Sequence, residues 1–178
     1  GTAGADANNV GVGSSALVAI TTGGSNVAVG KGAGTAITTG GSNVLLGPLA
    51  GSNFDTETNN TFIGSQAGGG AINGADRCVV VGSEAFGGAA TQRGTIAIGY
   101  AALQITTTGI GNIAIGYDAL KGNTTGNRNI AIGKGSMDGS GGATVLDSDD
   151  NVFMGYDSGG GTWATGKSEF NVGIGNYV

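Results

Sequence analysis

The sequence predicts an all-β fold, a parallel β-solenoid of about ten 17-residue coils, and three observations carry that prediction. A pentapeptide of the type Asn-Val-Ala-Val-Gly recurs along the whole chain. Its closing glycines are Gly13, Gly30, Gly47, Gly64, Gly82, Gly99, Gly116, Gly133, Gly155 and Gly175. Gly accounts for 40 of 178 residues and Pro for one; with no Gly at every third position, collagen is excluded, and Gly this dense leaves no room for helices. Short clusters of Val, Ile and Thr, in a chain that is 39% hydrophobic, argue against disorder.

The spacing between successive closing glycines is 17 residues through the first eight units, apart from one step of 18, and then 22 and 20. One repeat domain therefore spans 1–178, with insertions at 138–150 and 159–168. Each unit opens on a position that is Asn in eight cases: Asn9, Asn26, Asn43, Asn60, Asn112, Asn129, Asn151 and Asn171. Cys78 and Thr95 fill it in the other two. Stacked at solenoid spacing, these Asn side chains can bond to one another as a ladder. Next comes a short strand such as Ile113-Ala114-Ile115, closed by a Gly suited to a turn with φ above zero. Strands alternate faces, so Ile113 and Ile115 are expected to point into the coil and Ala114 outward. On that reading Ala28, Ala97, Ala114 and Ala131 line a close-packed outer face where further chains dock. A small residue follows each Gly at the third position, from Ala16 to Ser158, and four units add Thr-Thr-Gly, ending at Gly23, Gly40, Gly109 and Gly126.

Energetics add a reason for assembly. About five apolar side chains per coil, at ~1.5–3 kcal/mol each when buried, do not offset ~1–2 kcal/mol of backbone entropy for each of 17 residues. Stacking coils, and sharing a core between chains, closes that gap. At ~4.8 Å per coil, ten coils extend about 48 Å.

Composition removes several classes of function. With no His, Ser-His-Asp and Cys-His catalysis are excluded, and Cys78 alone builds no disulfide. A net charge of −5 argues against nucleic acid as a partner, and no apolar run reaches the ~20 residues that span a membrane. Gly161-Thr-Trp-Ala-Thr-Gly166-Lys167-Ser168 matches the phosphate-loop pattern, but the next repeat strand begins at Asn171 and leaves no helix for it. Asp147, Asp149 and Asp150 are weak metal candidates in an acidic insertion that fails the EF-hand pattern. Trp163 and Tyr156 are the receptor-binding candidates, as aromatic platforms for a sugar or a protein. Tyr100, Tyr117 and Tyr156 share one register after their glycines, which gives a partial aromatic row.

The units Asn112-Ile-Ala-Ile-Gly-Tyr-Asp-Ala-Leu120 and Asn129-Ile-Ala-Ile-Gly133 resemble the head repeats of YadA-type trimeric autotransporter adhesins and the Asn-Thr-Ala-Ile-Gly arrays of bacteriophage tail fibres. The resemblance runs from Asn9 to Gly175 and implies a left-handed β-roll, three chains packed about one axis, and an extracellular location on a virion or cell surface. Leu45, Phe62, Val80 and Phe153 depart from the small central residue of that pattern. The expected function is a structural or adhesive segment of a trimeric fibre, with no enzymatic activity and no cofactor. Its partners would be copies of itself and a glycan or protein receptor. The chain reads as a piece of a longer fibre. The alternative is a monomeric solenoid that binds ice or a surface through Thr rows.

Overall fold

In the computed structural model, residues 8–70, 74–88, 92–105, 108–122, 124–139, 148–160 and 168–178 are described. Among them each unit contributes one three-residue strand. These are β1 (Val10–Val12), β2 (Val27–Val29), β3 (Val44–Leu46), β4 (Thr61–Ile63), β5 (Val79–Val81), β6 (Ile96–Ile98), β7 (Ile113–Ile115), β8 (Ile130–Ile132), β9 (Val152–Met154) and β10 (Val172–Ile174). They form a single parallel sheet in chain order, and its register is that of the sequence repeat. Ile113 pairs with Ile130, and Ile130 with Val152 despite the longer spacing there, so the insertions leave the stack undisturbed. The turns on the other sides also hydrogen-bond from coil to coil: Leu17 N–H to the Ala33 carbonyl at 3.1 Å, Leu120 N–H to that of Ser136 at 2.9 Å. The architecture is a β-solenoid, with no helix among the described residues.

Tight coils demand left-handed backbone. Besides the closing glycines, at φ 126 to 147, twenty of the described residues other than Gly have positive φ. They recur at fixed registers: two residues after the Gly (Leu49, φ 59), four after it (Leu103, φ 53) and just before the opening Asn (Ser42, φ 59). An L-residue in this region costs about 1 kcal/mol or more. The bonds to neighbouring coils hold it there, and a coil taken alone has no such bonds.

The strands face the opposite way from the sequence expectation. Ala28, Ala97, Ala114 and Ala131 are fully buried inside the coil, whereas Val10, Val12, Val29, Val79 and Ile98 are exposed and Ile113 and Ile115 half-buried. The four alanines therefore cannot form a surface between chains. The reason is parity. Asn112 is fully buried, and side chains alternate across a strand, so Ala114 must share its side and the isoleucines must take the other.

The interior is narrow, and most coils accommodate bulk by exchange between their walls, Ala28 with Gly34 and Val80 with Phe86 being the departures. Where the central strand residue is Ala97 or Ala114, the opposite wall supplies Leu103 or Leu120, four residues after the closing Gly. Where it is Leu45, Phe62 or Phe153, that opposite position is Gly51, Gly68 or Gly159. A Cβ on Gly51 would lie 2.8 Å from Leu45 Cδ2, and one on Gly159 2.8 Å from the Phe153 ring. The bulky central residues thus fit without disturbing the register. Phe54, Phe62 and Phe86 join edge-on at 4.9 and 5.7 Å across three coils.

Along one inner corner run the asparagines. In each link the amide N–H of one Asn donates to the Oδ1 of the Asn below, as Asn129 does to Asn112 at 2.9 Å. Its Nδ2 donates to a backbone carbonyl in the next coil, as Asn26 does to Gly40 at 2.9 Å. The ladder breaks at Cys78 and Thr95. There Thr95 Oγ1 and both polar atoms of the Gln92 side chain are buried and have no hydrogen-bond partner among the described residues. Thr95→Asn restores an amide at the ladder register, with the Gly109 carbonyl and the Asn112 N–H as partners. We expect a gain of about 1–2 kcal/mol, read as a higher urea midpoint at unchanged m-value.

Candidate functional site

Two surfaces stand out. The first is the outer face of the sheet. The first and third residue of every strand point outward, which gives two side-chain columns, and all twenty are Val, Ile, Leu or Met except Thr61. Ten strands ~4.8 Å apart and two columns ~7 Å apart make an apolar band of about 340 Å² between the column centres. That lies within the ~300–600 Å² range for the largest patch on a monomer.

The second surface lies on the corner just after the closing glycines of the C-terminal half. Tyr100 and Tyr117 stack at 5.3 Å with their planes 21° apart. The next residue in that column is Lys134, whose Nζ sits 5.5 Å from the Tyr117 ring centre and 5.7 Å from that of Tyr156. Tyr156 then meets Tyr177 edge-on at 5.3 Å. Beside this column runs a second one, Asp118, Gly135 and Asp157. Asp138 faces it: from an ideal Cβ on Gly135, Asp138 Oδ2 lies at 3.3 Å and Asp157 Oδ1 at 3.5 Å. The result is a groove of about 160 Å³ lined by Tyr117, Asp118, Lys134, Gly135, Asp138, Tyr156 and Asp157. At its margins the Tyr100 hydroxyl donates to Glu84 Oε2 at 3.1 Å, and that bond, with the Glu84 charge, pushes the Tyr100 hydroxyl up from its ordinary pKa. A hydrogen bond with Tyr156 does the same for Tyr177. Asp118 lies 3.1 Å from Lys121.

Tyr156, expected at a receptor site, is in this groove; Trp163 lies outside the described residues. Sequence reasoning singled out the tyrosines but passed over Lys134, although it occupies their register, between Tyr117 and Tyr156. The aspartates were missed because Asp138 comes from a different part of its coil from Asp118 and Asp157. Among the metal candidates, Asp147 is outside the described residues. Asp149 Oδ1 accepts from Asn127 N at 2.7 Å and from Asn127 Nδ2 at 3.0 Å, and Asp150 holds Arg128 in a fork at 2.6 and 2.7 Å. These two carboxylates tie coils together, and no cluster of three or more possible metal ligands occurs among the described residues. Of the phosphate-loop pattern only Ser168 is described, and its carbonyl accepts from the ladder residue Asn151 at 2.8 Å.

Two of the paired threonines have engaged hydroxyls. Thr21 Oγ1 donates to the Thr38 carbonyl at 2.9 Å, and the Thr38 hydroxyl donates to Asp55, where the row gives way to a carboxylate. Thr107 is outside the described residues. Cys78 is buried, and desolvation pushes its thiol up to about 11, so it stays protonated and unreactive at neutral pH. The fold thus defines a repeat protein of the β-solenoid class. A scan against family models and searches of curated proteins and of solved structures give no match.

Proposed function

We propose that the chain is a structural and adhesive segment of an extracellular fibre, a left-handed β-roll assembled as a homotrimer through the outer face of its sheet. The observation that supports this reading is the apolar band of Val and Ile columns. It is continuous over all ten strands, and Thr61 is its one polar member. An outward strand face in water would carry Thr, Lys or Glu. Three such bands turned to one axis cover one another along the whole stack. The alanine row, placed in the interior, has no part in it. The fibre's sides would then be the polar turns, open to a host or surface receptor.

Light scattering after size-exclusion chromatography tests the assembly. The wild-type chain is expected at about three times its 17.0 kDa mass. Replacing both Ile113 and Ile115 by Lys, at the centre of the band, is expected to give a monomer with its far-UV circular dichroism kept. A folded wild-type monomer at micromolar concentration would overturn the reading.

A further inference from the structure

We propose that the groove between Tyr117 and Tyr156 is a subsite for an uncharged pyranose ring. The inference rests on the adhesive reading above and names the class of receptor: a neutral glycan.

The groove is a notch in this corner of the stack, produced by two departures from the neighbouring coils. Where consecutive coils both carry Tyr at this register, as at Tyr100 and Tyr117, the rings stack at 5.3 Å and close the space between them. Lys134 interrupts the column. Its ammonium lies near both ring centres, and Tyr117 and Tyr156 stand two coils apart, ~9.6 Å at the spacing of a parallel sheet. In the adjacent column Gly135 removes the side chain that Asp118 and Asp157 carry above and below it. The volume of about 160 Å³ suits one six-membered ring and falls short of the ~300 Å³ at which pockets for larger organic ligands begin.

The lining matches the two halves of a sugar. A pyranose presents apolar C–H groups on its faces and hydroxyls around its rim. Tyr117 and Tyr156 offer apolar ring surface together with a phenolic hydroxyl each. Asp138 and Asp157, converging over Gly135, offer acceptor oxygens to rim hydroxyls, and hydrogen bonds to an ionised acceptor are the stronger kind. Charge then selects among sugars. Three carboxylates line the groove against the Lys134 ammonium, with Lys121 pairing Asp118 at the margin, and the remaining excess of negative charge disfavours a sialylated or sulfated glycan. The pyranose ring sits over Gly135, beside Lys134, whose ammonium occupies the position between the two aromatic rings.

The test uses the full chain and an array of immobilised neutral, sialylated and sulfated oligosaccharides. The wild type is expected to bind neutral glycans and no others, with little dependence on salt. Two variants locate the binding. Tyr156→Ala removes one wall. Gly135→Gln plugs the notch at φ 67, a conformation that Gln66 adopts at the same register with φ 56, so the fold tolerates it. Each is expected to reduce binding at least tenfold with an unchanged melting temperature. Binding confined to acidic glycans, binding that both folded variants retain, or a chain that binds no glycan overturns the proposal. Measuring the mass of the same sample separates the two readings. A trimer that binds no glycan rejects the subsite alone, and a glycan-binding monomer rejects the fibre assembly alone.

Discussion

Replacing Gly64 by Ala is expected to abolish folding or to cost more than ~4 kcal/mol, although it adds a single methyl group. Gly64 closes β4 at φ 137, a conformation that L side chains rarely adopt. Its Cα faces the corresponding Gly of the next coil so closely that a Cβ would lie 2.5 Å from the Gly82 carbonyl oxygen and 3.0 Å from Ser83 N. Every atom in the way is backbone, and that backbone is held by its own bond from Gly82 N–H to Ile63 O at 2.8 Å. The clash cannot relax without lifting one coil off the next. Gly94→Asn is the control: φ is 64, no atom lies within 4 Å of the new Cβ, and Asn tolerates this region of φ. Urea unfolding followed by circular dichroism should show the first variant unfolded or strongly destabilised and the second within about 0.5 kcal/mol of wild type. Equal losses in the two would mean that the glycines matter only for flexibility.

Asn129→Ala should have the second-largest effect, about 3–5 kcal/mol. Asn129 is fully buried, and its side chain makes four contacts along the corner. Nδ2 donates to the Ser148 carbonyl at 2.7 Å and to Asn112 Oδ1 at 3.3 Å; Oδ1 accepts from Asn151 N at 3.1 Å and Asn151 Nδ2 at 3.0 Å. Truncation leaves two N–H groups and two carbonyl oxygens buried with a bond missing, at ~1–3 kcal/mol for each group left unsatisfied. Asn129→Asp should be no better, because the oxygen that replaces Nδ2 would face the Ser148 carbonyl. Calorimetric melting of both variants checks this, and a loss below about 1 kcal/mol for Asn129→Ala would show that water replaces the amide in the ladder.

The repeat made the architecture readable from the residues alone. One Gly per unit located each strand end, and the recurring Asn identified a ladder. What the reading got backwards was the side of the strand, and the information to correct it was present. An Asn ladder inside a thin coil fixes which side is interior, and Ala114, two residues after Asn112, has to follow it. Treating Ile as the core-former because it is the larger apolar residue overlooked how little the coil can hold. The exchange between Phe62 and Gly68, or Ala114 and Leu120, was likewise written in the sequence as a reciprocal size pattern. The groove was less legible. It depends on Lys134 and Gly135 being exceptions to their columns, and such exceptions have meaning only once the columns are known to be adjacent.

The hydrogen bonds between coils have a consequence for how the molecule bears force. All of them run roughly along the stack, so tension applied at the two ends loads one coil's bonds at a time and peels the terminal coil away. Each coil lost releases 17 residues, roughly 55–60 Å of extended chain, from a height of ~4.8 Å. A single chain would therefore lengthen in a series of small, similar steps and dissipate a pull as work. Lateral shear, by contrast, loads many coils together, so the structure is compliant lengthwise and stiff across.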